Sequence, residues 1–160
     1  MSQTEHHIRH LEHAVALARR AVESGDGGPF GAVVVQDGEV LAEGWNRVIA
    51  TNDPTAHAEV TAIRSACSAL GTFQLPGATI YASCEPCPMC LGAIFWTRPS
   101  AVYFTSTRTH AEQAGFDDSE IYDQVGLEHT HRSLPFHRLE VAGATEVFEL
   151  WRTWPGRTDY

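Results

Sequence analysis

Lysine is missing altogether: all 11 basic side chains among the 160 residues are arginine. The chain therefore offers no amine for Schiff-base chemistry and no lysine for a phosphate-binding loop. Long apolar runs are missing too. No stretch approaches the roughly 20 residues that a membrane-spanning helix needs. The opening Met1-Ser2-Gln3-Thr4-Glu5-His6-His7 is polar where a secretory signal would be hydrophobic. Basic charge is scarce, since 20 acidic residues leave a formal net charge of -9. That balance argues against a surface built for nucleic-acid phosphates, which need clustered Lys and Arg. These absences predict a cytoplasmic protein with neither a membrane nor a nucleic acid as partner. What is present, 43% hydrophobic and 19% charged residues, suits a single domain with a real core.

Cysteine is sparse but concentrated. Cys84, Cys87 and Cys90 follow a C-x-x-C-x-x-C spacing, and Cys67 stands apart. Clustered thiols in a reducing compartment bind a metal or carry redox chemistry more often than they form disulfides. Cys67, a single thiol on an expected helix, reads as core packing.

The chain reads as one domain over residues 1–160, with no repeat or linker. Ile8, Leu11, Val15, Ala18 and Val22 recur at steps of three and four, predicting a helix from about Glu5 to Glu23 with that face buried. His6, His7, His10 and His13 read as its polar face. Gly31 to Val35 reads as a buried strand, and Asp37-Gly38 as a hairpin turn into a second, Glu39 to Trp45. Asn52 to Thr55 is a capping cluster for a helix over about Ala56 to Leu70, stopped by Gly71. A strand over Ala78 to Ala82 comes next, then a helix opened by Pro86 and Pro88, then a strand over Ala101 to Phe104. Beyond Thr105 the pattern predicts a short helix near Ser119 to Val125, a weak strand near His137 to Val141, and a helix near Thr145 to Trp154. The alternation implies an α/β fold with helices on both faces of a sheet.

His57-Ala58-Glu59 opens the second long helix and Pro86-Cys87-Pro88-Met89-Cys90 the third. Together they form H-x-E … P-C-x-x-C, the signature of zinc deaminases. Cys87 and Cys90 lie three apart on a first helical turn, so both sulfurs can face one side. Helix N-termini favour thiolates. Three protein ligands, His57, Cys87 and Cys90, leave a tetrahedral Zn2+ one open position, the mark of a catalytic site. There the metal would turn water into hydroxide near neutral pH, with Glu59 moving the proton to a ring nitrogen and then to the leaving amine. Cys84, which precedes Glu85-Pro86, is expected to end the strand instead of ligating.

On these residues the chain resembles the cytidine deaminase superfamily, and the bacterial guanine deaminases within it. Gly28-Pro29-Phe30-Gly31-Ala32-Val33, Gly44-Trp45-Asn46, the segments around His57 and Cys87, and Ala114-Gly115-Phe116-Asp117-Asp118-Ser119 carry the likeness. The resemblance implies a three-layer α/β/α fold with a mixed five-stranded sheet, one zinc per chain, and hydrolysis of guanine to xanthine and ammonia. It assigns Asn46 to the purine edge, Phe30 to the ring pocket, and His57 to stacking as well as ligation. Asp118 becomes a second catalytic carboxylate facing the guanine amidine, and Ala58, Trp96, Phe116 and Tyr160 further substrate contacts. An acceptor-only carboxylate suits guanine, whose N1–H and 2-amino group are donors. The resemblance also implies a homodimer exchanging C-terminal segments, about 145–160, consistent with the large aromatics Trp151, Trp154 and Tyr160 near a chain end. Rival readings are a deaminase of guanosine, ammeline or cytosine, a tRNA adenosine deaminase, and a non-enzymatic zinc protein. The last leaves Glu59 without a use.

Overall fold

The computed structural model describes residues 2–160. Two compact units divide the chain, residues 1–118 and 119–160. The first holds a four-stranded sheet in the order β2-β1-β3-β4, with β1 Gly31–Gln36, β2 Glu39–Trp45, β3 Thr79–Cys84 and β4 Ala101–Ser106. Strands β1 and β2 are antiparallel across the Asp37-Gly38 turn, where both residues take positive φ. That is the turn chemistry Asp-Gly supplies. Strand β3 is antiparallel to β1 and parallel to β4.

Alternation along the strands builds two cores. Ala32, Val34 and Ile80 face one side and pack with Ala58, Ala62, Ile63 and Ala66 of α3 (Ala58–Leu70) and Ile94 of α4 (Pro88–Thr97). Val33, Val35 and Tyr81 face the other side and pack with Ala14 and Leu17 of α1 (Gln3–Glu23). Helices therefore cover both faces, giving the expected three layers.

The sheet has four strands, not five. Residues 137–141, expected as a weak strand, form no ladder. They contain Arg138 and Glu140, which pair with each other in the open, and exposed Leu139 and Val141. Residues 119–160 instead form α6 (Ser119–Val125), a 3-10 turn at His129–His131 and α7 (Glu146–Thr153), close to the two helices expected there. No side chain from Ser119 onward is buried. Two short helices were not foreseen, α2 (Val48–Thr51) and α5 (Arg108–Gln113).

Helix α1 begins at a Ser2/Glu5 capping box, but its buried face differs from the expected one. His10, Ala14, Leu17, Ala18 and Ala21 are buried, while Ile8, Val15 and Val22 are exposed. The reason is close approach. A Cβ at Gly31 would overlap the backbone of Ala14 and Ala18, so the helix lies directly on β1 where alanines face it, and the larger Leu17 and His10 pack to either side of that contact. The histidines are likewise not a solvated face. His10 is 2% exposed with its Nε2 3.2 Å from His6 Nε2, and His7 Nδ1 lies 2.8 Å from the Tyr81 hydroxyl and stacks on Tyr103. No described helix is long and apolar enough to cross a membrane.

Candidate active site

Topology gathers the site. Strands β2 and β3 both run antiparallel to β1, so their C-terminal ends lie at the same edge of the sheet. Both long helices on the α3/α4 face set out from that edge. A Cβ at Gly44, near the end of β2, would overlap the Ala58 carbonyl, so the first turn of α3 lies against the strand. On the other side β3 ends at Cys84 and the chain turns through Glu85-Pro86 into α4.

His57 and Cys87 are the N-cap residues of α3 and α4, each with extended backbone (ψ 158° and 168°). Neither side chain caps its own helix. Both are thus spared for another partner, and they meet Cys90 from the first turn of α4. His57 Nδ1 lies 3.5 Å from Cys87 Sγ and 3.5 Å from Cys90 Sγ. All three donor atoms lie within 4.8 Å of one another. Zn–S and Zn–N bonds of usual length at a tetrahedral angle give an S···N edge of about 3.6 Å. One imidazole nitrogen and two sulfurs at that spacing fit zinc in both geometry and chemistry. Cys84 is elsewhere, its thiol reaching the Thr107 carbonyl at 3.5 Å.

The electrostatics favour a cation. The contact from Cys90 pulls the Cys87 thiol down to about 4, against burial. The same contact, with burial second, pushes Cys90 up. Contact with Cys87 raises His57 against its own burial. Glu59, on the first turn of α3, is 7% exposed, and burial raises its carboxyl. Its Oε2 accepts from Cys90 Sγ at 3.4 Å. A carboxyl that holds a proton this readily beside the ligand atoms is suited to carrying one.

Around this centre, Asn46 leads from β2 with its N–H donating to the Phe30 carbonyl at 2.9 Å, and Arg47 N–H donates to Ala56. Phe30, Asn46 and the start of α3 are thereby tied together. Phe116 meets Phe30 edge to face, with ring centroids 5.0 Å apart. Burial, then the Cys87 charge, raises the Asp118 carboxyl, which brings this residue into the field of the centre. Ala58, the first residue of α3, is fully buried. Trp96 is not brought to the cluster within its own chain: it is 62% exposed, nine residues beyond Cys87, about 13 Å along the helix. Tyr160 is the last residue of the C-terminal unit and is exposed. Sequence reasoning passed over Asp26, which accepts the Trp45 indole N–H at 2.7 Å beneath Asn46. Its only signal was the run of turn residues around it.

Comparison with known proteins places these features in a wider setting. Residues 4–106 match the cytidine and deoxycytidylate deaminase zinc-binding region. A guanine deaminase of Bacillus subtilis (strain 168) is 50% identical over 154 residues, spanning 96% of this chain and 99% of the relative. The crystal structure of guanine deaminase from Bacillus subtilis superposes with a TM-score of 0.94 at 48% identity, covering 100% of this chain and 99% of that one. A tRNA-specific adenosine deaminase of Agrobacterium fabrum is 49% identical over 94 residues, 59% of this chain and 61% of the relative.

Proposed function

Since the chain belongs to the cytidine and deoxycytidylate deaminase family, we propose that it hydrolyses guanine to xanthine and ammonia with one zinc ion per chain. The observation that favours guanine over a tRNA adenosine is where each likeness stops. Likeness to tRNA-specific adenosine deaminases spans 94 residues at 49% identity in one relative and 123 at 36% in another, whereas likeness to the guanine deaminase runs through 154 at 50%. A net charge of -9 also suits a small purine better than an RNA.

In the reaction a water oxygen bonds to C2 of the purine, the bond from C2 to its amino group breaks, and the amine departs as ammonia. His57, Cys87 and Cys90 would hold the zinc, which would supply a Lewis acid able to lower the pKa of that water. Glu59 takes a proton from the water, hands it to the ring nitrogen beside C2, and delivers one to the departing amine. Its burial and raised affinity for a proton support this role. Asp118 accepts from N1–H and the 2-amino group, one donor to each oxygen of an acceptor-only carboxylate. Phe30 and Phe116 wall the ring, His57 stacks on it over Ala58, and Asn46 binds its edge.

Residues 1–160 act in this reading as one functional domain in the cytoplasm, where the four free cysteines stay reduced. It further holds that the chain is a homodimer exchanging residues of about 145–160, with Tyr160 and Trp96 serving the partner's site. The C-terminal unit supports this, because Val147, Phe148, Leu150 and Trp154 on or beside α7 are all exposed. Forty-odd residues cannot build a stable core alone, and such apolar surface marks a docking face.

The test is an ammonia-release panel over guanine, guanosine, adenine, cytosine and ammeline, with zinc measured on the same preparation. Guanine should be turned over best at about one zinc per chain. Activity confined to guanosine or ammeline would replace the assigned substrate, and absence of zinc from folded protein would end the enzymatic reading.

A further inference from the structure

Asn46 is 5% exposed, and most of its hydrogen-bonding capacity is already committed. Its Oδ1 accepts from two backbone donors, Gly28 N–H and Val48 N–H, each at 3.2 Å. Both neighbours are donors, so the amide has one stable orientation. A flip would set its NH2 against two N–H groups. Its backbone N–H is bound to Phe30. What remains is Nδ2, with two N–H donors. No described protein group accepts from it, and Gln36 Oε1 is the one sealed side-chain polar atom without a partner among the described residues. Nδ2 therefore opens onto accessible space.

The frame around this amide is built from one residue. Asp26 Oδ2 accepts from Trp45 Nε1 at 2.7 Å, fixing the side chain that precedes Asn46. The Asp26 carbonyl accepts from Ile49 N–H at 3.1 Å and Ala50 N–H at 3.0 Å, fixing the turn that carries Val48. The Arg20 guanidinium, 3.9 Å from the Trp45 ring centroid, covers one face of the indole. Gly27, next to Asp26, has no room for a Cβ, which would overlap Asn46 Oδ1. Asp26 thus grips the chain on both sides of Asn46.

We infer that Asp26, through its bond to Trp45, is a positioning residue that holds the Asn46 amide in a donor-only orientation toward the purine. The inference rests on the proposed role of Asn46 in binding substrate. The amide meets the substrate before and during reaction alike, so misplacing it weakens binding uniformly and raises KM more than it lowers kcat.

The experiment measures KM and kcat for guanine in Asp26→Ala, Trp45→Phe, the double variant, Asp26→Asn and Asn46→Ala. Zinc content and thermal midpoint are recorded for each. Asp26→Ala and Trp45→Phe should each raise KM about tenfold with kcat within about twofold and zinc retained. The double variant should be no worse than either single one, since both delete the same bond. Asp26→Asn, whose Oδ1 can still accept the indole N–H, should restore KM. Trp45→Phe keeps the ring in place and secures the comparison if Asp26→Ala folds poorly. The inference is overturned if Asn46→Ala raises KM while Asp26→Ala and Trp45→Phe do not, if the two effects add, or if kcat and zinc fall with KM unchanged. If Asn46→Ala itself leaves KM unchanged, the binding role of Asn46 has failed and the clamp with it.

Discussion

At the scale of single residues, division of labour follows from donor chemistry and burial. Two thiols and an imidazole are soft enough for zinc, whereas Glu59, nearly sealed beside them, is the group proposed to carry the proton. Glu59→Gln keeps the size and removes the carboxylate that can take up a proton. It should retain about one zinc per chain and lose kcat by roughly 10²- to 10⁴-fold, as read by ammonia release and metal analysis. Full activity in that variant would dismiss Glu59 as shuttle. Cys87→Ser or Cys90→Ser should release the metal and lower the thermal midpoint together, because binding of a structural element by zinc is also folding energy. Asp118→Ala should cost guanine at least about tenfold in kcat/KM, since it strands two substrate donors. The same loss on ammeline and guanosine would make Asp118 a general site residue. The signature residues were legible because chemistry limits them to few types at fixed spacing. Asp26 was not, since its importance lies in what its backbone carbonyl and carboxylate happen to touch.

Among the elements, small residues decide how closely helices sit on the sheet. Gly44 lets the first turn of α3 lie on β2, and Gly31 does the same for α1 on β1. Gly44→Ala pushes the Ala58 carbonyl, one residue from a metal ligand. It should cost roughly 1–3 kcal/mol of stability and weaken zinc retention against a chelator. A normal melting curve with normal zinc would mean that α3 shifts freely. Helix α1 makes a second prediction. Burial, followed by the charges of His6, Arg9, His13 and His7, lowers the pKa of His10 from the ordinary 6.5, with Tyr81 of β3 against its ring. Its neutral form is therefore the one that folds. Above 6.5 the unfolded chain is neutral there as well and nothing is lost. As pH falls below 6.5 the unfolded state takes up a proton that the native state refuses, and stability drops. Urea unfolding from pH 7.5 to 5.0 should show that loss, reduced in His10→Gln. Equal slopes would remove His10 from the account. The α1 periodicity misled because the helix packs through alanines, whose weak hydrophobicity hides behind the louder Ile8-Val15-Val22 stripe.

For the molecule as a whole, the outstanding feature is apolar surface that one chain leaves open, Leu91, Phe95 and Trp96 on α4 and the side chains of α7. The proposed exchange predicts that removing residues 145–160 shifts the mass in solution from dimer to monomer and cuts turnover on guanine by at least about tenfold. Unchanged mass and rate would leave the tail without a role in assembly. The sequence by itself determined the donor types that meet at the centre, the Asp37-Gly38 hairpin and the alternation of strand and helix, because each depends on neighbours within a few residues. Only tertiary structure decided the number of strands, the buried face of α1 and the support under Asn46. A strand near residue 140 needs a partner edge, an alanine stripe matters only where a glycine faces it, and Asp26 meets Trp45 and Ile49 across stretches of 19 and 23 residues. Local preference sets what a segment can become, and which of those possibilities survives depends on what the rest of the chain brings against it.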